Sequence, residues 1–227
     1  MFTKGNNHEP KTIDDIIFGN NESKLRIEDI VSGAEELPYS GKSAILLYGV
    51  FGTGKTTLAK MLPNHIEYGK TKEELVWDPV FIGCQQGFNG PQLMTKIDAI
   101  MTTMSLNVSG LHYFILDEVD NLTKLAQQSL KTALNTTLGV FVLTTNNVSQ
   151  LDKGLLDRCI LIEMNAANPS AYLDIAKSIA DESGISLSSD ELLPTIQAAN
   201  GSFRNLFHNV GRLARRKAEK VPPNAIY

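Results

Sequence analysis

Several things are scarce in this sequence, and each scarcity removes a class of protein. Only two of the 227 residues are cysteines, Cys84 and Cys159, and they lie far apart, which leaves no disulfide framework or zinc ribbon and suits a reducing cytoplasm. The longest apolar run, AILLYGVF at 44–51, is well short of the roughly 20 residues that cross a bilayer, so no membrane segment is expected. The N-terminal MFTKGNNHEPKT lacks the apolar centre of a secretory signal. His8, His65, His112 and His208 are too scattered for a metal site or a catalytic pair. Positive charge is not in excess: a net charge of −4 gives no general pull toward nucleic acid, so any such contact needs a local patch. One patch exists, Arg212, Arg215, Arg216, Lys217 and Lys220, interrupted by Glu219 before VPPNAIY ends the helix; its simplest reading is a solvated face. Phe51, Trp77 and Phe88 read as packing residues, and no internal repeat or low-complexity segment is present.

What remains is ordinary globular composition, 42% hydrophobic and 20% charged, arranged as one principal domain with an appendage. Short apolar runs recur at AILLY (44–48), PVFIG (79–83), HYFILD (112–117), GVFVLTT (139–145) and CILIEM (159–164). Helix-like stretches separate them, among them Thr56 to Leu62, GPQLMTKIDAIMTTM and TKLAQQSLKTALN. Strands alternating with helices predict an α/β fold with a five-stranded parallel sheet flanked by helices. After Met164 the texture becomes purely helical, with helices expected at Pro169 to Ala180, Ser188 to Ala199 and Phe203 to Ala218. The expected division is therefore 1–166 for an α/β nucleotide-binding domain, 167–221 for a small all-helical lid, and 222–227 for a tail.

The chemistry begins at YGVFGTGKTTLAKML, 48–62. Gly49, Gly52, Thr53, Gly54, Lys55 and Thr56 fit G-x-x-x-x-G-K-[ST], with Thr57 following. Glycines let the backbone curl until its N–H groups face phosphate oxygens, and the helix that follows adds its positive end. Lys55 would reach the β and γ phosphates and Thr56 would stand at a Mg²⁺ position. A buried strand before the loop and a helix after it are the context this mechanism requires. HYFILDEVD adds Asp117 at a strand end to help hold Mg²⁺, and Glu118 to polarise an attacking water. GVFVLTT ends in Asn146-Asn147; if that strand lies between the other two, Asn146 can orient the water, and otherwise the pair is a turn.

Together these pieces resemble the AAA+ ATPases, and among them the clamp-loader ATPase subunits. The resemblance runs from TIDDIIFGN at 12–20 through GSFRNLF at 201–207, and is most specific at DEVDNLTKLAQQSLKTALN with GVFVLTTNN. It implies that Ile16, Ile17 and Phe18 lie against adenine and that Asn146 is the first sensor. Twelve residues further on, Arg158 in Leu156-Asp157-Arg158-Cys159 stands where the family has an arginine finger that reaches a neighbour's ATP. Arg204 in Gly201-Ser202-Phe203-Arg204 matches the arginine of the helical lid that contacts the γ phosphate. There are departures. Val50-Phe51 replace two prolines, Asp157 replaces the serine before the finger and is expected to pair with Arg158 when no neighbour is present, and Lys131 and Asn135 stand where a basic pair and a glutamate are usual. The helix GPQLMTKIDAIMTTM offers only Lys96 for duplex backbone, and the collar domain of clamp loaders has no counterpart before Tyr227.

The resulting expectation is an oligomeric ATPase using ATP and Mg²⁺, assembled from copies of itself through Arg158 or with related AAA+ subunits. It would act in the cytoplasm, a host's cytoplasm for a viral protein, to load or remodel a DNA-bound complex in replication or transposition. An ATP-gated protein scaffold with slow or no hydrolysis is the alternative, and a small-molecule kinase fits poorly because no acceptor pocket or basic lid is evident.

Overall fold

A computed structural model describes residues 10–87 and 89–219, and the chain divides into two compact units. The first comprises residues 20–49 and 55–164. Its strands are β1 (Ala44–Tyr48), β2 (Val80–Gly83), β3 (His112–Asp117), β4 (Gly139–Thr145) and β5 (Cys159–Glu163). They form one parallel sheet in the order β2-β3-β4-β1-β5. The central strands are buried along nearly their whole length, as continuous Val/Ile/Leu/Phe runs require when both faces are covered. Alternate residues serve opposite faces. Ala44, Leu46, Phe114, Leu116, Phe141 and Leu143 join a core with α3 (Gly90–Met101), α4 (Lys124–Ala133) and α5 (Lys153–Asp157), where Phe114 and Phe141 stack with centroids 4.7 Å apart. The other face is covered by α1 (Asn21–Ser32) and α2 (Lys55–Thr71).

Two elements depart from the sequence pattern. The helix after the glycine-rich loop was expected to close at Leu62, before Pro63, yet α2 continues to Thr71. A proline inside a helix forfeits one backbone hydrogen bond, at roughly 3 kcal/mol, but Leu58, Leu62, Ile66 and Glu67 bury one face across it. The apolar runs also gave no sign of α1, whose limits are set by capping: Asn20 Oδ1 accepts the Ser23 N–H, and Gly33 closes the helix at φ 86°.

The second unit contains, of the described residues, 10–19, 50–54 and 165–219. The helices α6 (Leu173–Glu182), α7 (Ser189–Ala199) and α8 (Phe203–Ala218) enclose Tyr172, Ile179, Leu192, Ile196, Leu206 and Val210. Ser188 and Ser202 cap α7 and α8 through their side-chain oxygens. The loop 50–54 groups with these helices through specific contacts: the Phe203 N–H donates to the Gly52 carbonyl at 2.9 Å. Gly52 has φ 80°, and a Cβ there would strike the Ser202 hydroxyl, so glycine is needed for both conformation and space. Lys220 and the expected tail lie outside the described residues.

Candidate nucleotide site

Parallel topology brings the ends of β1, β3 and β4 to one edge of the sheet, with β4 in the middle. From that edge β1 runs into the glycine-rich loop, β3 ends in Asp117, and β4 ends in Thr145 followed by Asn146. This is the strand arrangement on which a role for Asn146 depended.

The loop carries several backbone groups in conformations that favour glycine. Gly52 and Gly54 have φ of 80° and 91°, and nothing lies within 4 Å of a Cβ added at Gly54, which leaves open space where a ligand would approach. Thr53 is buried and its hydroxyl donates to the Val50 carbonyl at 3.1 Å. Lys55, the first residue of α2, is 7% exposed, and its Nζ donates to the Gly49 carbonyl at 2.9 Å. An ammonium at this position is one that a polyphosphate could engage. Thr56 lies one residue on, with its Oγ1 donating to Asp117 Oδ1 at 2.8 Å; Thr57 is partly buried in the same turn.

Glu118 is exposed and has left-handed backbone angles, φ 60° and ψ 53°. Its N–H donates to Thr144 Oγ1 at 3.0 Å, and that hydroxyl donates to Asp117 Oδ1 at 2.6 Å. Its carboxylate accepts a 3.3 Å hydrogen bond from Asn121 Nδ2, which also donates to the Cys84 carbonyl at 3.1 Å. Asn146 makes no side-chain hydrogen bond among the described residues, whereas Asn147 takes the turn role: its N–H donates to Thr145 Oγ1 and its carbonyl accepts from Gln150. The turn reading therefore holds for Asn147, and the strand order leaves Asn146 beside the ends of β1 and β3.

Arg158 immediately precedes β5, whose first residue pairs with Ala44 at the start of β1. β1 runs five residues, so at about 3.3 Å per residue the backbone of Arg158 is roughly 16 Å from the far end of that strand, the edge at which Asp117 lies. No arginine side chain spans that distance along the sheet. Arg158 Nε donates to Asn135 Oδ1 at 2.8 Å and its Nη1 to the Gly154 carbonyl at 2.7 Å. The expected Asp157 pairing is not found: among the described residues no ion pair joins the two, and Asn135, in the position where a glutamate was noted as usual, takes the arginine instead. In the second unit, Arg204 is exposed on the first turn of α8, Ile16 is buried, and Ile17 packs on the helical core with Phe18 half-buried beside it in sequence.

Residues 45–165 match the model of the ATPase family associated with various cellular activities (AAA). The chain belongs to that family. Replication factor C small subunit 1 of Pyrobaculum arsenaticum is 27% identical over 224 residues, covering 96% of this chain and 64% of that protein. The replication factor C large subunit of Methanosarcina mazei is 25% identical over 214 residues, 92% of this chain and 33% of the other. The chain thus spans just under two thirds of such small subunits. In fold it also resembles the Thermotoga maritima RuvB Holliday junction branch migration motor, with a TM-score of 0.60 at 19% identity over 93% of this chain and 65% of that one. This member of the AAA family carries the P-loop pattern and is similar to replication factor C subunits.

The donor set suits a magnesium nucleotide. Among the described residues no group of three or more His, Cys, Asp or Glu could hold a metal unaided. A hydroxyl and a carboxylate in contact, Thr56 and Asp117, are hard oxygen donors of the kind Mg²⁺ shares with phosphate oxygens and water. The neighbourhood is also electronegative: burial first, then the charges of Asp117, Asp120 and Glu118, push the Cys84 thiol up to about 12.

Sequence reasoning missed three residues that hold the candidate site together. Asn121 holds Glu118, Thr144 bridges Asp117 and Glu118, and Thr145 donates to Asp120 at 2.9 Å while accepting from Asn147. The available signal was the Thr144-Thr145 pair closing an otherwise apolar strand, since buried hydroxyls need partners.

Proposed function

We propose that the chain hydrolyses ATP with Mg²⁺ in a pocket completed by a second protomer, and uses the cycle to load or remodel a protein complex on DNA. The observation that carries this reading is the separation along the sheet: the Thr56–Asp117 contact and Glu118 lie at one end, and Arg158 at the other. A chain that cannot bring its own Arg158 to its own phosphates can offer it to a neighbour's.

In this mechanism the glycine-rich backbone and Lys55 cradle the β and γ phosphates, and Thr56 and Asp117 hold the magnesium ion, which neutralises phosphate charge when bound. Glu118 accepts a proton from the attacking water as Asn146 orients it. Arg158 of the neighbouring protomer and Arg204 of the lid place positive charge against the γ phosphate. Such transfer depends on positioning and electrostatics, and an arginine in trans contributes about 10³ to 10⁵ in rate. Ile16, Ile17 and Phe18 supply an apolar wall for adenine.

Membership of the AAA family and the likeness to replication factor C subunits support the choice of a replication-related partner. Head-to-tail use of Arg158 fits a ring or arc of identical chains, or of related AAA+ subunits. The exposed Arg212, Arg215 and Arg216 on α8 offer a DNA contact. Glu118→Gln tests the hydrolytic step: turnover should fall by at least about 10²-fold with ATP binding retained, as loss of a general base predicts. Undiminished turnover would remove Glu118 from the chemistry and return the ATP-gated scaffold to first place.

A further inference from the structure

Thr144 is the next-to-last residue of β4 and is 2% exposed. The strand before it is apolar, Phe141-Val142-Leu143, and across the sheet it faces Leu47 of β1, so nothing in the packing asks for a hydroxyl. The hydroxyl is nevertheless fully engaged. It accepts the Glu118 N–H at 3.0 Å and gives its single proton to Asp117 Oδ1 at 2.6 Å, the same oxygen that accepts from Thr56 at 2.8 Å. Its two partners are the carboxylate proposed to hold magnesium and the backbone of the carboxylate proposed to take the water's proton. Glu118 has φ 60°, a region that non-glycine residues occupy only when their surroundings enforce it, and the hydrogen bond to Thr144 is such an enforcement.

We infer that Thr144 is a positioning residue of the ATPase site, whose hydroxyl sets the orientation of the Asp117 carboxylate and the backbone conformation that aims Glu118. The inference rests on the hydrolytic reading above. Thr144 also lies two residues before Asn146, so one short segment both contacts Asp117 and leads to the amide proposed to orient the water. Threonine gives one proton and accepts one N–H in a shape that valine copies without either, so the substitution isolates the hydrogen bonds from the packing.

The test measures magnesium dependence as well as turnover, because a merely structural hydroxyl would leave the former alone. Binding of a fluorescent, slowly hydrolysed ATP analogue is followed in EDTA and across a Mg²⁺ titration for wild type, Thr144→Val, Thr144→Ser and Glu118→Gln. By analogy with residues that orient metal ligands, Thr144→Val should bind the analogue normally in EDTA yet need about 10-fold more Mg²⁺ for half-saturation, with kcat down about 10- to 100-fold and Thr144→Ser within about 3-fold of wild type. An unchanged magnesium requirement and kcat in Thr144→Val would overturn the inference, as would a Thr144→Ser variant as impaired as Thr144→Val. If Thr144→Val does not fold, Thr144→Ala removes the same hydroxyl and is judged by the same titration. Glu118→Gln separates the layers: should it turn over ATP normally, the hydrolytic reading fails while the magnesium titration still decides Thr144. Should it be inactive beside a wild-type-like Thr144→Val, only the inference falls.

Discussion

Arg158 is held by two hydrogen bonds, to Asn135 and to the Gly154 carbonyl, and the proposed role in a neighbour's pocket would require it to leave them. Hydrogen bonds to a charged group contribute about 1.5 to 3 kcal/mol net each at most, and less where water competes for a half-exposed side chain. An arginine acting in trans lowers the barrier by about 4 to 7 kcal/mol, the equivalent of 10³- to 10⁵-fold in rate. In the proposed mechanism the transition-state gain exceeds the cost of breaking the home contacts, which would act as a modest brake on turnover. Asn135→Ala should lift that brake, and half-maximal ATPase should appear at a lower protein concentration, checked by turnover across a dilution series. No leftward shift would mean that Asn135 does not restrain Arg158. Both thiols are predicted inert: burial pushes Cys84 and Cys159 up to about 12, so labelling of native protein by a thiol reagent at pH 8 should be far slower than after denaturation.

At the scale of elements, the phosphate loop and the Asp117-Glu118 pair were legible because a strand, a turn and a helix each leave a local pattern. Asn146 needed the strand order, which local pattern does not encode. Thr144 and Thr145 were illegible as candidate-site residues because their partners lie 25 to 27 residues away, and Asn135 as the holder of Arg158 because 23 residues separate them; Asn121 lies only three residues from Glu118, but hydroxyl and amide residues look alike whether buried or exposed. Helix limits failed where capping or burial outweighed propensity, as at Asn20 and Pro63. Within the helical unit, α7 and α8 are joined by Glu191, which accepts from Lys217 at 2.6 Å and caps its own helix through Ser188. The Lys217 contact first, then the Ser188 N–H and hydroxyl, lower the Glu191 carboxyl from its ordinary 4.5 to about 2. A lowered carboxyl stabilises the fold above its unfolded value, and that contribution is lost as pH falls from about 4.5 toward 2. In Glu191→Gln, the part of the acid-induced loss of stability falling in this window should shrink, as followed by circular dichroism; an identical acid profile would show that the contact is not felt.

For the whole molecule, the proposed function makes the sheet a spacer, with Asp117 and Glu118 at one end and Arg158 at the other. The basic face of α8 gives a separate prediction. If Arg212 and Arg216 contact phosphates, affinity for duplex DNA should fall steeply with salt, and each change to alanine should lower the slope by about one. A flat salt response would leave that face as a solvated surface. The direct test of the composite pocket is complementation between two variants that are each inactive alone. Arg158→Ala retains Glu118, and Glu118→Gln retains Arg158. If pockets form at random between identical chains, an equimolar mixture should regain about a quarter of wild-type ATPase, since one pocket in four pairs an intact Glu118 with an intact Arg158. A mixture no more active than its separate components, or an Arg158→Ala protein as fast alone as wild type, would contradict the account.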